Sequence, residues 1–151
     1  MDRIPAIAWE FQHSVDCGVP RQLGWDYWTN VANWDDPPAA FRLDGPFAAG
    51  SQITTSLPGQ LLHSVIRDVA GHEATIEMQL PDAILCFHWK FETITENTSR
   101  ITQRLILSGP NAAAFVAQAS MLEHTTPDGM KKLVASIERS YGKTGGTYVS
   151  V

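Results

Sequence analysis

The stretch at residues 110–141, PNAAAFVAQASMLEHTTPDGMKKLVASIERSY, decides how this chain can fold. Its apolar residues recur at helical spacing and keep one phase on both sides of Pro127. They are Phe115, Ala119, Leu122, Met130, Leu133, Ile137 and Tyr141. The pattern predicts one long C-terminal helix that is kinked at Pro127, because proline has no backbone N–H to donate. Such a stripe needs an apolar partner surface, which must come from the preceding residues.

Two polar residues, Glu123 and Thr126, fall inside the apolar arc when each residue turns the helix by about 100°. Pro127 leaves the Glu123 carbonyl without its helical donor, so we expect the carboxylate, that carbonyl and the Thr126 hydroxyl to converge at the kink. The alternative is that Glu123 rotates outward at a cavity mouth, where water satisfies these groups. Met121 and His124 lie on the opposite side and are predicted to be at the surface.

The preceding residues alternate between apolar and polar, as half-buried strands do. The first strand is predicted at residues 9–15, and its inner face carries Trp9, Phe11, His13 and Val15. Pro20 can then take the first position of a short amphipathic helix. Its apolar face carries Leu23, Tyr27, Trp28 and Val31. A second helical turn begins at residues 33–34 and ends at residues 37–38, which are both proline.

Six further strands, divided by Gly, Pro and Asn, predict an antiparallel meander. They lie near residues 39–44, 51–57, 61–69, 73–80, 84–94 and 99–108. In strand 61–69 two inward registers compete and the pattern favours neither: Leu61, His63, Val65 and Arg67, or Leu62, Ser64, Ile66 and Asp68. Gly142, Gly145 and Gly146 are expected to end the C-terminal helix and to leave a mobile tail at residues 143–151.

Composition limits the function classes. The chain has 151 residues, 44% hydrophobic and 18% charged, which predicts one globular domain. A net charge of -5 and a pI near 5.4 argue against a nucleic-acid partner. No apolar run is long enough to span a membrane, and nothing resembles a signal peptide, so we expect a soluble, cytoplasmic protein. Cys17 and Cys86 form no disulfide framework, the histidines have no metal spacing, and we expect no cofactor.

Five polar residues fall among apolar ones and are therefore candidates for a site: His13, Thr55, Gln103, Glu123 and Thr126. Burial of each without a partner costs roughly 1 to 3 kcal/mol, so each needs a hydrogen-bond partner, a water or a ligand. The commoner explanation for any one of them is a partner within the protein.

The order of elements, together with several short motifs, resembles the polyketide cyclase/dehydrase and lipid-transport superfamily of START-like (SRPBCC) proteins. The resemblance covers about residues 9–142. The motifs are residues 19–34 (VPRQLGWDYWTNVANW), the loop 45–50 (GPFAAG), FHWKFE at 87–92, TSRIT at 98–102 and LSGP at 107–110. It implies an α+β helix-grip fold, in which a curved sheet of about seven strands grips the C-terminal helix around an interior cavity for a small hydrophobic or amphipathic molecule.

The sequence is compatible with three functions: a carrier or sequestering protein for such a molecule, a cyclase or dehydratase, and a co-chaperone-like interaction module. The catalytic candidates are Glu123 and His13, which would exchange a proton with a bound carbonyl compound. A homodimer is also left open. The residues expected to line the ligand site are His13, Tyr27, Trp28, Thr55, Met78, Phe87, Trp89, Gln103, Phe115, Ala119, Leu122, Glu123, Thr126 and Met130.

Overall fold

The computed structural model describes the backbone of residues 7–149 and the side chains of residues 7–142. Its strands are β1 (Ile7–Cys17), β2 (Ala40–Asp44), β3 (Gln52–Leu57), β4 (Gln60–Ala70), β5 (Glu73–Leu80), β6 (Ala83–Thr95) and β7 (Thr98–Ser108). They form one curved antiparallel sheet in the order β1-β7-β6-β5-β4-β3-β2. The predicted meander and the α+β class are confirmed, and every predicted strand lies within two residues of its observed bounds.

The connection between β1 and β2 holds α1 (Arg21–Thr29) and a 3-10 helix at Val31–Asn33. Pro20 precedes α1 instead of entering it, and its carbonyl accepts hydrogen bonds from the N–H groups of Leu23 and Gly24. The side of α1 that faces the core carries Gly24 and Trp28, which are four residues apart. The placement of Leu23 on the apolar face is therefore wrong, and this residue is 40% exposed.

The C-terminal helical region has three segments: a 3-10 helix at Ala112–Phe115, α2 (Val116–Ser120) and α3 (Leu122–Val149). The break falls at Met121, whose N–H bonds the Gln118 carbonyl at 3.2 Å with the three-residue spacing of a 3-10 turn. The predicted single helix with a kink at Pro127 is wrong in this respect. Because α3 starts afresh at Leu122, Pro127 is its sixth residue and lies in its second turn, where it removes the hydrogen bond that the Glu123 carbonyl would accept.

The glycines do not end α3, which continues through Gly142 to Val149. Glycine in a helix costs about 1 kcal/mol relative to alanine, yet helical backbone angles are sterically open to it. The residues of the predicted tail are helical as far as residue 149, and the mobility of the tail stays a prediction. Residues 150 and 151 lie outside the described residues.

Strand β4 settles the register that the sequence left open. Ser64 pairs with Met78 and Ile66 with Ile76, so Ser64 and Ile66 face inward. Arg67 is an extra residue between these pairs and the next ones, which makes a β-bulge. The bulge returns Val69 to the inner face and turns Arg67 outward, where its Nε lies 2.6 Å from Glu77 Oε1.

Two groups of buried apolar side chains lie on the inner face of the sheet. The first core cluster consists of Cys17, Val19, Trp28, Ile53, Ile66, Ala74, Ile76, Phe91, Ile101, Met130 and Ile137. The second core cluster consists of Ala83, Leu85, Leu107, Ala112 and Ala119. Phe87, in the middle of β6, packs against both clusters. The two clusters therefore divide the interior into two apolar ends.

Two carboxylates of α3 attach the helix to the edge strand β1. Glu123 Oε2 accepts a hydrogen bond from Trp9 Nε1 at 2.8 Å, and Glu138 Oε2 accepts one from the Gly18 N–H at 2.7 Å. Fifteen residues, or about 22 Å of helix, separate the two carboxylates. The helix is therefore attached near both ends of β1.

Candidate functional site

Gln103 is a buried polar residue in the middle of β7, and it lies between the two core clusters. Ile101 of the first cluster precedes it on the same face, and Leu107 of the second cluster follows. Its neighbours across the sheet are His13 on β1 and Trp89 on β6. An imidazole and an indole therefore flank the amide on the concave face.

Thr126 occupies the corresponding position on α3. Leu122, one turn before it, packs against the second cluster, and Met130, one turn after it, belongs to the first. Thr126 itself is buried. The helix therefore also changes from apolar to polar and back to apolar between the two clusters.

Thr55 and Ser64 complete the polar set on β3 and β4. Thr55 is buried and follows Ile53 of the first cluster, while Ser64 is buried and precedes Ile66 of the same cluster. We use the term polar belt for these two hydroxyl residues together with Thr126, Gln103 and His13. The belt follows the boundary of the first cluster on β3, β4, β7 and α3.

Aromatic residues beside the belt are open to solvent. Trp9, Phe11 and His13 on β1 and Phe87 and Trp89 on β6 are only half-buried, although all five lie on the concave side. Since β6 is a central strand, solvent can reach its concave side only through a gap between the sheet and the helices. We call this gap the cleft. Its wall is aromatic and its polar groups are those of the belt.

Stacked rings hold His13 in place on this wall. The His13 ring lies parallel to that of Phe11, with centroids 6.5 Å apart and planes at 5°. Phe11 is stacked in turn on Trp9, at 6.3 Å and 18°. These rings follow one another at every second residue of β1, as side chains on one face of a strand must. The spacing that predicted the strand therefore also orders the aromatic wall.

The similarity of this architecture to known proteins is structural. No protein-family profile matches the chain, and no curated protein sequence matches it. A norcoclaurine synthase point mutant from Thalictrum flavum, solved with a transition-state analogue, superposes with a TM-score of 0.70 at 8% identity, covering 93% of this chain and 99% of that one. The Zhui aromatase/cyclase from Streptomyces sp. R1128 superposes with a TM-score of 0.67 at 13% identity, covering 86% of this chain and 93% of that one. The protein Ara h 8.0201 superposes with a TM-score of 0.60 at 12% identity, covering 85% of this chain and 96% of that one. The chain has the START-like helix-grip fold.

Within the helix-grip fold, the predicted site residues other than Glu123 divide into three groups. Buried belt residues are Thr55, Gln103 and Thr126. Half-buried residues are His13, Tyr27, Met78, Phe87, Trp89, Phe115 and Leu122. Buried apolar residues of the two clusters are Trp28, Ala119 and Met130. Trp28 is 2% exposed and packs at 4.9 Å from Trp89 and 5.5 Å from Phe91, so it belongs to the core and does not line the cleft.

Glu123 lies outside the buried arc, which agrees with the outward alternative left open by the sequence. It is exposed, and its carboxylate is bound to the Trp9 indole. The break at Met121 makes Leu122, one full turn before Thr126, the inward residue. Four residues, or about 13 Å of strand, separate Trp9 from His13, so Glu123 has a partner other than His13. Met121 and His124 are exposed, as predicted.

Ser64 is the belt residue that the sequence did not single out. Its register was one of two that the alternation allowed, and in the other register it would have faced water. The signal that could have identified it is Ile66, whose inward position carries Ser64 with it. The bulge at Arg67 breaks the alternation on which this choice depends.

A second depression, of about 310 Å³, lies on the surface of the helix-grip fold, beside the turn between β4 and β5. Its lining residues are Arg21, His72, Glu73, Lys90, Phe91, Glu92 and Thr93. Burial lowers the pKa of His72, Arg21 lowers it further, and Asp26 opposes the shift. Because most of the lining is charged, this depression is not the apolar cavity that the family resemblance implies.

Proposed function

We propose that this protein binds a small hydrophobic or amphipathic molecule in the cleft and acts as its carrier or sequestering protein. The single observation that supports this most is the half-buried aromatic wall of β1 and β6 on the concave face of the sheet. Aromatic side chains left partly in water beside a few fixed polar groups are typical of small-molecule sites. The described residues include no helix that is both long and apolar enough to cross a membrane. A cytoplasmic location stays a prediction.

The outer face of the sheet does not favour the interaction-module alternative. Oppositely charged side chains pair on it: Arg100–Asp16, Arg104–Glu10, Arg67–Glu77 and Lys90–Glu92. The His88 imidazole lies 3.0 Å from the Glu73 carboxylate on the same face. A protein-docking face is expected to have a contiguous apolar patch at its centre, whereas these polar pairs extend over β4, β5, β6, β7 and the edge strand β1. The charges are consistent with a solvated face.

The proton-exchange pair proposed for a cyclase also lacks geometric support. General acid–base chemistry needs two titratable groups within hydrogen-bond reach of one substrate. Among the belt residues only His13 is titratable, and Glu123 is bound to Trp9. We therefore favour a binding function over a catalytic one.

Native mass spectrometry after gentle purification, followed by titration with the uncharged fluorophore Nile red, tests the proposal. We expect a co-purified small molecule, or saturable binding that a panel of flavonoids and fatty acids displaces. Phe87→Ser should weaken Nile red binding roughly five- to tenfold, because it removes an aromatic contact from the wall. Leu61→Ser is the matched control, since Leu61 is 60% exposed on the opposite register of β4.

Circular dichroism must show that both variants are folded. The absence of any co-purified molecule, together with no saturable Nile red binding, would contradict the proposal. Equal weakening by the two variants would contradict the assignment to the cleft.

A further inference from the structure

The polar belt is built from uncharged polar side chains and a histidine, although the chain has 16 Asp and Glu residues and 11 Lys and Arg residues. Its members are two threonines, a serine, a glutamine and a histidine, so it contains no carboxylate, ammonium or guanidinium group. The two carboxylates of α3 described above are bound to Trp9 and Gly18. A carboxylate brought into the cleft would lose water without gaining a fixed cation, which costs far more than burying a neutral group.

Gln103 carries the one amide side chain among these belt residues, and an amide offers both donors and acceptors. It is 7% exposed, and its amide forms no hydrogen bond with a described residue. Since no fully enclosed side-chain N or O atom lacks a partner in the described part of the chain, the amide must reach open space. That space is the cleft, because His13 and Trp89 flank Gln103 on the concave face.

The position of the belt adds a second constraint. The first core cluster lies on one side of it and the second on the other, along both β7 and α3. A ligand that fills the cleft along these elements meets apolar surface at each end and hydrogen-bonding groups in between. This is the reverse of the arrangement that suits a fatty acid, whose charge is at one end.

We infer that the ligand is an uncharged molecule with a ketone or hydroxyl group near its middle and apolar groups at both ends, and that Gln103 selects it. This inference rests on the proposed function and deepens it. The Gln103 amide donates to a ketone, or accepts from a hydroxyl, and the His13 imidazole can assist because a neutral imidazole also offers one donor and one acceptor. Without such a partner the buried amide is left unpaired in the complex.

Three probes of similar size separate the elements of this inference: benzophenone, diphenylmethane and para-phenylbenzoate. Benzophenone has a central ketone between two apolar rings, diphenylmethane lacks the ketone, and para-phenylbenzoate carries a charge at one end. Binding is measured for each by titration calorimetry and by ligand-observed NMR. We expect benzophenone to bind roughly 5- to 100-fold more tightly than each of the other two, which is the affinity equivalent of one satisfied buried amide.

Gln103→Met keeps the side-chain length and removes the amide. We expect benzophenone affinity to fall to that of diphenylmethane, while diphenylmethane affinity stays the same or rises. Gln12→Met, at an exposed position of β1, is the matched control and should leave all three affinities unchanged. The comparison of probes on the wild-type protein remains decisive even when Gln103→Met fails to fold.

The outcomes separate the two proposals. Tightest binding by para-phenylbenzoate, equal binding by benzophenone and diphenylmethane, or an unchanged preference in a folded Gln103→Met variant overturns this inference and leaves the binding function intact. Failure of all three probes to bind up to their solubility, together with failure of Nile red, overturns both.

Discussion

Ser99→Ala tests whether the join between β7 and the end of β1 depends on one enclosed hydrogen bond. The Ser99 hydroxyl donates to the Val19 carbonyl at 2.8 Å, and both residues have no measurable exposure. Alanine leaves that carbonyl without its donor in a place that water cannot enter. A buried group left unpaired costs about 1 to 3 kcal/mol. For a domain of this length we expect the melting temperature to fall by roughly 2 to 12 °C.

Ser14→Ala is the matched control. Its hydroxyl forms a hydrogen bond of the same length, 2.8 Å, with Thr102 on the neighbouring strand, but both groups are open to solvent. Water can replace the lost partner, so the expected cost is below about 0.5 kcal/mol. The two serines lie on strands and have hydrogen bonds of equal length, but they differ in burial and in partner, which is a carbonyl for Ser99 and a hydroxyl for Ser14.

The measurement is urea unfolding of the three proteins, followed by circular dichroism and by tryptophan fluorescence. Equal slopes are needed before the midpoints can be compared as free energies. Equal losses in the two variants, or a loss below about 0.5 kcal/mol for Ser99→Ala, would refute the reasoning from burial.

Three further predictions concern a turn, a histidine and the thiols. Gly109→Ala should lower the free energy of unfolding in urea by at least about 2 kcal/mol, because Gly109 has φ +116° and an added Cβ would lie 2.9 Å from Ala83 Cα. Gly129→Ala has open space around the added Cβ and should stabilise α3 by about 0.5 to 1 kcal/mol. The reverse order of the two variants would contradict this prediction. Burial lowers the pKa of His72 below its ordinary 6.5, so the unfolded chain binds that proton more readily and the stability of the fold should decrease as the pH drops through 6.5. His72→Gln should reduce this dependence of stability on pH. The same pH dependence in the variant would contradict the prediction. Burial also raises the pKa of both thiols, Cys17 and Cys86, so Ellman's reagent should react slowly with the native protein, and first at the half-buried Cys86. Cys86→Ser shows which kinetic phase of the reaction belongs to which thiol. A fast reaction at Cys17 would contradict its burial.

The sheet could be predicted from the sequence because alternation and turn residues are local signals. Every strand was placed within two residues, and the meander follows from the short connections. The C-terminal helix was harder. Its apolar stripe can be identified from the sequence, but periodicity alone does not indicate the 3-10 turn at Met121. The glycines near its end do not stop the helix, since the cost of glycine in a helix is small.

The polar site was predictable in part for the same reason. Thr55, Gln103 and Thr126 are buried where their phase placed them. Glu123 is not, because an error of one residue in helical phase moves a side chain from the arc to its margin. Ser64 was uncertain because a strand with a bulge has two phases, and the side that wins is decided by pairing with β5.

The bulge at Arg67 also bears on how the cleft could vary in width. Deletion of this one residue would restore regular alternation along β4 without changing which side chains face inward, since Ser64, Ile66 and Val69 would then follow one another at every second position. The strand would lose its local bend and extra twist, and the β2–β3–β4 side of the sheet would move relative to α3. Removal of this single residue would therefore change the aperture of the cleft while leaving its lining unchanged.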